Sequence, residues 1–310
     1  MNQIRPTASA PAWVRIAAPI VSRLPAGRYR AIKHLCRRPR AAFLMRLPAE
    51  LGGYSFLCDL RDTISRDVCF TGRYEPQETA IVRSILKSGM TFVDVGANWG
   101  YFTMLAASLV GQSGRVLSLE PDPRLFPILK ENVARGELDQ VTVLQLAAAN
   151  EAGTLSLAGY DENEENFGLS KLASGNAEKG PIFQVNADSL DRILKSRQLA
   201  SIDLMKMDIE GAEGFAIAGL KRSLSERRIR RLLLELHPAE LAGHGSSAAE
   251  VIGTLRDAGY CGWTIDHSPA ATRQAAYKKT RDVGTFLQPL NSSSELDSWP
   301  HQLWLAPGVE

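Results

Sequence analysis

The chain predicts an α/β fold of the doubly wound kind, a mainly parallel sheet with helices on both faces, and three observations carry that prediction. Thr91–Val95 is a short apolar run that ends in Asp94-Val95-Gly96, passes through Ala97-Asn98-Trp99-Gly100 and then takes up helical spacing to Val110. That is a strand, a Gly-rich turn and a helix start, the opening βα unit of a nucleotide-cofactor fold. Arg115–Leu119 is a second apolar run, with Glu120-Pro121-Asp122-Pro123 at its tip. Beyond it, strands and amphipathic helices keep alternating, a pattern that calls for a parallel sheet.

The turn suits a ligand. Gly96 and Gly100 let the backbone turn sharply and approach a small molecule without a Cβ in the way, and the free N–H groups of the next helix face the same spot. It is not the dinucleotide fingerprint, because Asn98 stands where GxGxxG needs its second Gly. A Gly-rich turn can also serve packing alone. Glu120 changes the balance, since an acid at the second strand tip can accept from both hydroxyls of a ribose. Turn and acid together read as an adenosine-containing cofactor. Asp94 would repel a pyrophosphate but can orient the amino group of an amino-acid cofactor, so the charge pattern fits S-adenosylmethionine better than NAD.

The elements follow in order. Residues 1–42 form a basic, Arg-rich extension, expected to be helical and to pack on the main domain; a loose basic arm or a membrane-surface or polyanion contact are the alternatives. Residues 1–50 hold ten Lys and Arg against the single acid Glu50. Pro19 interrupts the apolar run Ile16–Val21, which makes a poor signal-peptide core. The main domain, 43–310, opens with a hairpin and lead-in helix (43–90): AFLMRL and YSFLCDLRD read as strands around Gly52-Gly53, and Pro76 to Leu86 reads as a helix. Glu75 either caps that helix or faces the site.

The cofactor core spans 91–150. Pro123 opens a helix to about Arg135, Val141–Leu146 is a third strand, and Asn150 at its tip either meets the adenine edge or caps a turn. The acceptor-side loop, 158–182, contains Asp161, Glu162, Glu164, Glu165, Asn166, Ser170 and Gly180 in a long polar stretch, the expected lid. Ile182–Asn186 is a short strand, with a helix starting at Asp188-Ser189-Leu190-Asp191. Ile202–Met207 is the fourth core strand, and Asp208, Glu210 and Glu213 cluster at its tip, where ligands bind in open sheets. Acids there can also cap a helix, which fits Glu213 best. Arg231–Leu236 is a fifth strand with His237 at its end. Trp263–Ile265 and Gln302–Leu305 supply the last two strands, with Thr285–Leu290 a further candidate.

Composition sets outer limits. With 310 residues and 45% hydrophobic content, the chain can bury one large core. Four scattered cysteines, without CxxC or a His at ligand spacing, argue against a zinc site or a disulfide framework and for a reducing, cytoplasmic setting. No apolar run approaches the ~18 residues of a membrane span. Nothing pairs the basic arm with an aromatic stacking surface, so no nucleic-acid partner is expected.

GRYEPQE, FVDVGANWGYFT, SLEPDPRLFPILKENV, LMKMDIEGAE and LLELHP, in this order, resemble the FkbM-type S-adenosylmethionine-dependent methyltransferases. The likeness runs from about Phe43 to Leu305. It implies a seven-strand, Rossmann-like methyltransferase sheet with its last strand antiparallel. It also implies methyl transfer, usually to a hydroxyl of a sugar, polyketide or similar metabolite. Carried over by residue, Asp94, Gly96, Asn98 and Gly100 would hold the methionine part of the cofactor and Glu120 the ribose. Ala97, Tyr101, Asp122, Asn150 and Asp208 complete the expected cofactor set, although family members often have an acid where Asn150 stands.

A sulfonium methyl is already activated, so the chemistry needs in-line placement of the acceptor and a route for its proton. Asp208 or Glu210 is expected to orient or deprotonate a small-molecule or glycan hydroxyl, with Glu75 and His237 as alternatives. The same carboxylates can instead hold a divalent ion, though no dedicated metal site is expected. Two rival classes are an NAD-dependent oxidoreductase and a non-catalytic methyltransferase-like module. Asn98 and the Asp208/Glu210 pair count against the first; the intact cofactor residues count against the second.

Overall fold

The computed structural model describes residues 9–24, 27–36, 42–159, 170–173, 180–277, 282–290 and 301–309. Helices α1 (Ala12–Ser22) and α2 (Arg28–Leu35) precede an antiparallel hairpin, β1 (Ala42–Arg46) and β2 (Ser55–Asp59). Val14, Val21 and Ile32 of these helices are buried against Phe43, Leu60 and Phe70, and Pro19 lies within α1 without ending it. No helix among the described residues is long and apolar enough to cross a membrane.

After the hairpin comes a helix that strand patterning concealed, α3 (Thr63–Thr71). Asp62 caps it, its carboxylate accepting from Ser65 N at 2.7 Å, and such a cap stabilises a helix by about 1 kcal/mol. The lead-in helix α4 (Pro76–Ile85) has Pro at its first position, where the missing N–H costs nothing. The cofactor core follows as β3 (Thr91–Val95), α5 (Tyr101–Val110), β4 (Arg115–Leu119), α6 (Phe126–Arg135) and β5 (Val141–Leu144).

The expected third strand divides at this point. β5 stops at Leu144, and β6 (Ala147–Ala149) leaves for a second sheet, ordered β6-β9-β7-β8, with β7 (Gly153–Gly159), β8 (Ser170–Leu172) and β9 (Ile182–Ser189). Asn150 directly follows β6 and is exposed. β8 lies inside the predicted lid and pairs with β7, while Asp161, Glu162, Glu164, Glu165 and Asn166 lie outside the described residues. β9 runs on through Asp188, so the helix expected there, α7 (Leu190–Ser196), starts two residues later.

The chain continues as β10 (Leu204–Met207), α8 (Glu213–Ala218), α9 (Lys221–Ser225), β11 (Arg231–Glu235), α10 (Pro238–Gly243) and α11 (Ala248–Asp257). It closes with β12 (Cys261–Ile265), α12 (Pro269–Tyr277), β13 (Leu287–Pro289) and β14 (His301–Leu305). The main sheet has the order β13-β12-β14-β11-β10-β3-β4-β5. β5, β4, β3, β10 and β11 are mutually parallel, and β14 enters antiparallel between β11 and β12. The expected seven strands are present with the last one reversed. The eighth, β13, is a short edge addition carrying Pro289, a residue that edges tolerate and interiors do not.

Core strands are apolar because both faces are covered. Phe92 and Leu204 pack toward one helical layer, Val93, Val95, Met205 and Met207 toward the other. One buried polar side chain ties the first layer together: Asn132 of α6 donates to the Trp99 carbonyl at 2.9 Å and accepts from Leu57 N of β2 at 2.7 Å.

Candidate active site

The strand tips of β3, β4, β10 and β11 open into one cleft, with an enclosed volume of about 190 Å³. Its walls include Asp94, Gly96, Asn98, Tyr101 and Glu120 on one side and Glu75, Lys206, Asp208, Glu210 and Glu235 on the other. Ser170 and Leu172 of β8 also reach it. Adjacent parallel strands end at the same edge of the sheet, which is why residues far apart in sequence meet here.

The cofactor side is held by backbone. Gly96 has φ +85°, and a Cβ there would lie 2.0 Å from the Asp208 carbonyl oxygen, so only glycine lets the two strand tips abut. Asn98, also left-handed at φ 51°, directs its N–H to Glu120 Oε2 at 2.7 Å, and Asp122 N donates to Glu120 Oε1 at 2.9 Å. One amide on each oxygen fixes the carboxylate and leaves lone pairs over for further donors. Burial pushes Glu120 up to about 8, against the help of those amides. Asp94 accepts from Thr103 Oγ1 at 2.7 Å, and burial raises it to about 6.

Two expected contacts are not brought to this wall. Asp122 is fully buried and closes on Arg124, 2.6 Å away, which with the Arg124 amide occupies its carboxylate. Asn150 follows the end of β6 and is not part of the lining. Gly100 begins α5 with φ +88°, behind the lining, and Ala97 and Tyr101 are in it.

The acceptor side is held by charge. Lys206 is buried, with Nζ 2.9 Å from Asp208 Oδ2, 3.7 Å from Glu75 Oε2 and 4.7 Å from the centre of the Phe102 ring. Burial alone would lower its pKa, but Asp208, Glu75 and Glu235 reverse this and hold it above the usual value. Burial would likewise raise Asp208; Lys206 brings it below the usual range instead. Sequence reasoning overlooked Lys206, although a lone cation within the apolar strand LMKM was the available signal.

Glu75 has φ 41°, a left-handed conformation that an ordinary side chain adopts at a cost of about 1–3 kcal/mol. Its Oε2 is buried without a hydrogen-bond partner among the described residues, and burial raises the group to about 7. Burial also raises Glu210 to about 7 and, with Asp208 and Glu75 nearby, Glu235 to about 10. His237 faces this group from the end of β11. Its Nδ1 lies 2.9 Å from the fully buried Glu213, and its Nε2 lies 3.5 Å from Glu210 and 3.7 Å from Glu235. Burial opposes its charged form, yet Glu213 and Glu210 carry it to about 10.

Among the described residues, two sets of three metal-capable side chains have ligand atoms within 4.8 Å of one another. Asp208, Glu235 and His237 form one, in the cleft; Glu78, His267 and His301 form the other, beside it. The cleft as a whole fits S-adenosylmethionine. Glu120 has acceptor capacity for a ribose, and carboxylates outnumber the single lysine where a cofactor with a sulfonium and an ammonium would be neutralised.

Known proteins share sequence with this chain. Residues 94–261 match the family model of the methyltransferase FkbM domain. The chain is 27% identical over 203 residues to the 31-O-demethyl-FK506 methyltransferase FkbM of Streptomyces tacrolimicus, covering 56% of this chain and 74% of that protein. It is 28% identical over 162 residues to the 2-O-methyltransferase NoeI of Sinorhizobium fredii, covering 48% of this chain and 64% of the relative. Among solved structures, it is similar to the methyltransferase FkbM of Methylobacillus flagellatus at 16% identity and a TM-score of 0.41, covering 89% of this chain and 58% of that one. It is also similar to the fibrillarin of Aeropyrum pernix with natively bound S-adenosyl-L-methionine, at 12% identity and a TM-score of 0.38, covering 73% of this chain and 72% of that one. The chain belongs to the FkbM methyltransferase domain family and is an S-adenosylmethionine-dependent methyltransferase.

Proposed function

We propose that the chain methylates a hydroxyl oxygen of a small-molecule or glycan acceptor, with Glu75 taking the proton. The observation that carries this reading is the acidic cluster built around Lys206 in the same cleft as Asp94 and Glu120, with Lys206 beside Asp94 on the neighbouring strand. Two relatives whose names specify O-methylation support the choice of oxygen.

Bound S-adenosylmethionine supplies a methyl group already activated on a sulfonium. Asp94 would hold its amino acid, Glu120 its ribose, and Gly96 and Asn98 the turn between them. The acceptor then needs orientation and a proton sink. Asp208 is neutralised by Lys206 and is better suited to orienting a hydroxyl than to taking its proton. His237, carried to about 10, stays an imidazolium at neutral pH and balances Glu213 and Glu210. Glu75 has an oxygen without a hydrogen-bond partner, a strained backbone that aims it, and a pKa near the working pH, the combination a general base requires. Helices α1 and α2 would serve as an accessory layer to the methyltransferase unit 43–310, and a cytoplasmic setting fits Cys58, Cys69 and Cys261, none of which is in a disulfide.

The test is transfer of a labelled methyl group to a panel of hydroxyl, amine and carboxylate acceptors. Methyl ether products are expected. Label arriving only on nitrogen or carboxylate would sink the reading.

A further inference from the structure

Beside the cleft, three distant parts of the chain bring Glu78, His267 and His301 together. Glu78, in the first turn of α4, is 2% exposed, and its Oε1 lies 2.7 Å from His267 Nε2 and 3.3 Å from His301 Nδ1. The two imidazoles stack with centroids 3.8 Å apart, so both edges address one oxygen. The frame is braced: Gln77 donates to the Asp266 carbonyl at 3.1 Å and to Thr272 Oγ1 at 2.9 Å, and Ser268 N donates to Asp266 Oδ1 at 2.7 Å.

Both ring nitrogens address Glu78 Oε1, and each offers at most one N–H. Glu78 Oε2 is buried with no hydrogen-bond partner among the described residues. Glu235 Oε2 lies 3.5 Å from the same His301 Nδ1. A buried acceptor left unserved calls for an occupant. A water would serve that oxygen through an O–H; a divalent cation would take the carboxylate directly, with each imidazole presenting a lone pair in place of its N–H.

We propose that Glu78, His267 and His301 bind one divalent transition-metal ion, and that zinc is the ion the set fits. Two borderline imidazoles and one hard carboxylate make a donor set that zinc takes, with bonds of about 2.0–2.2 Å. The half-exposed His267 ring turns to meet the ion, and a fourth position is left for water or Glu235. Bound there, the ion pins α4 to β14 and to the segment after β12. It acts as a positioning site, because α4 begins at the residue after Glu75. The proposal does not depend on the identity of the methyl acceptor.

The full-length protein, freed of metal by a chelator, is titrated with Zn²⁺ by calorimetry and with Co²⁺ while visible absorption is followed. One equivalent is expected, with a rise in Tm. His267→Asn and Glu78→Gln should each weaken Zn²⁺ binding by more than the roughly 10–100-fold that loss of an outer-shell partner costs, whereas Asp208→Asn should leave it unchanged. Binding of S-adenosylmethionine to His267→Asn shows that this variant is folded, and the Tm shift of the unaltered protein is read independently of any variant. No uptake, uptake indifferent to His267→Asn and His301→Asn together, or uptake abolished by Asp208→Asn would each overturn the proposal. In those cases the three residues are an ion-pair cluster and nothing more.

Discussion

The two walls of the cleft use the same side chain, a buried carboxylate, and hold it by different means. On the cofactor wall, Glu120 and Asp94 lean on backbone amides and a threonine hydroxyl. On the acceptor wall, Asp208, Glu75, Glu210 and Glu235 share Lys206 and His237 between them. Neutral dipoles act locally, whereas buried charges act on every neighbour, because the low dielectric between them does not screen. The first wall is a fixed mould; the second is a coupled network in which one substitution resets the others.

The largest expected effect is on catalysis. Glu75→Gln should lower kcat by roughly 10²–10⁴-fold, the usual contribution of a general base, while calorimetry finds the affinity for S-adenosylmethionine little altered. An unchanged kcat would remove Glu75 from the proton path. Lys206→Met should show the coupling in stability. Breaking a buried ion pair by removing one partner costs about 3–5 kcal/mol, and adding Asp208→Asn should restore part of that loss in denaturant melts. Additive losses would mean that the acceptor wall is no more coupled than its counterpart.

Smaller effects belong to the cofactor wall. Glu120→Gln should weaken S-adenosylmethionine binding roughly 10-fold, equal to about 1.4 kcal/mol, with other affinities at the site unaffected. The same variant carries a pH signature in the ligand-free protein. Burial holds the folded Glu120 at about 8 against 4.5 for the free group. Below the lower value both states are protonated; between the two, the unfolded chain has released a proton that the fold keeps. Stability therefore falls as pH rises through that window, and Glu120→Gln should flatten the fall measured by Tm against pH. An unaltered slope would assign the carboxylate a different environment.

Sequence exposed the two walls unequally, for the same physical reason. The cofactor wall is local: Asp94, Gly96 and Asn98 lie within one strand and turn, and Glu120 is at the next tip, so period and glycine placement reveal them. Asp122 deceived because an Asp-Pro-Arg turn lets the acid close on Arg124, which only coordinates display. The third strand reads too long because the chain leaves the main sheet after Leu144, and apolar patterning does not record which sheet a strand joins. Much of the acceptor wall is non-local. Lys206 looked like part of an apolar strand, and beside the wall His267 meets Glu78 across 189 positions. The helix α3 was hidden by a strand-like run ending in DLRD.

Asn132 gives the fold a mechanical consequence. A single amide group clasps the carbonyl of Trp99 in the ligand-binding turn and the N–H of Leu57 in the preceding hairpin. Whatever steadies the turn thereby steadies the hairpin, so loading the protein with its methyl donor should slow solvent exchange at the Leu57 amide, far from any atom the donor touches. The hairpin is in this sense a remote gauge of occupancy.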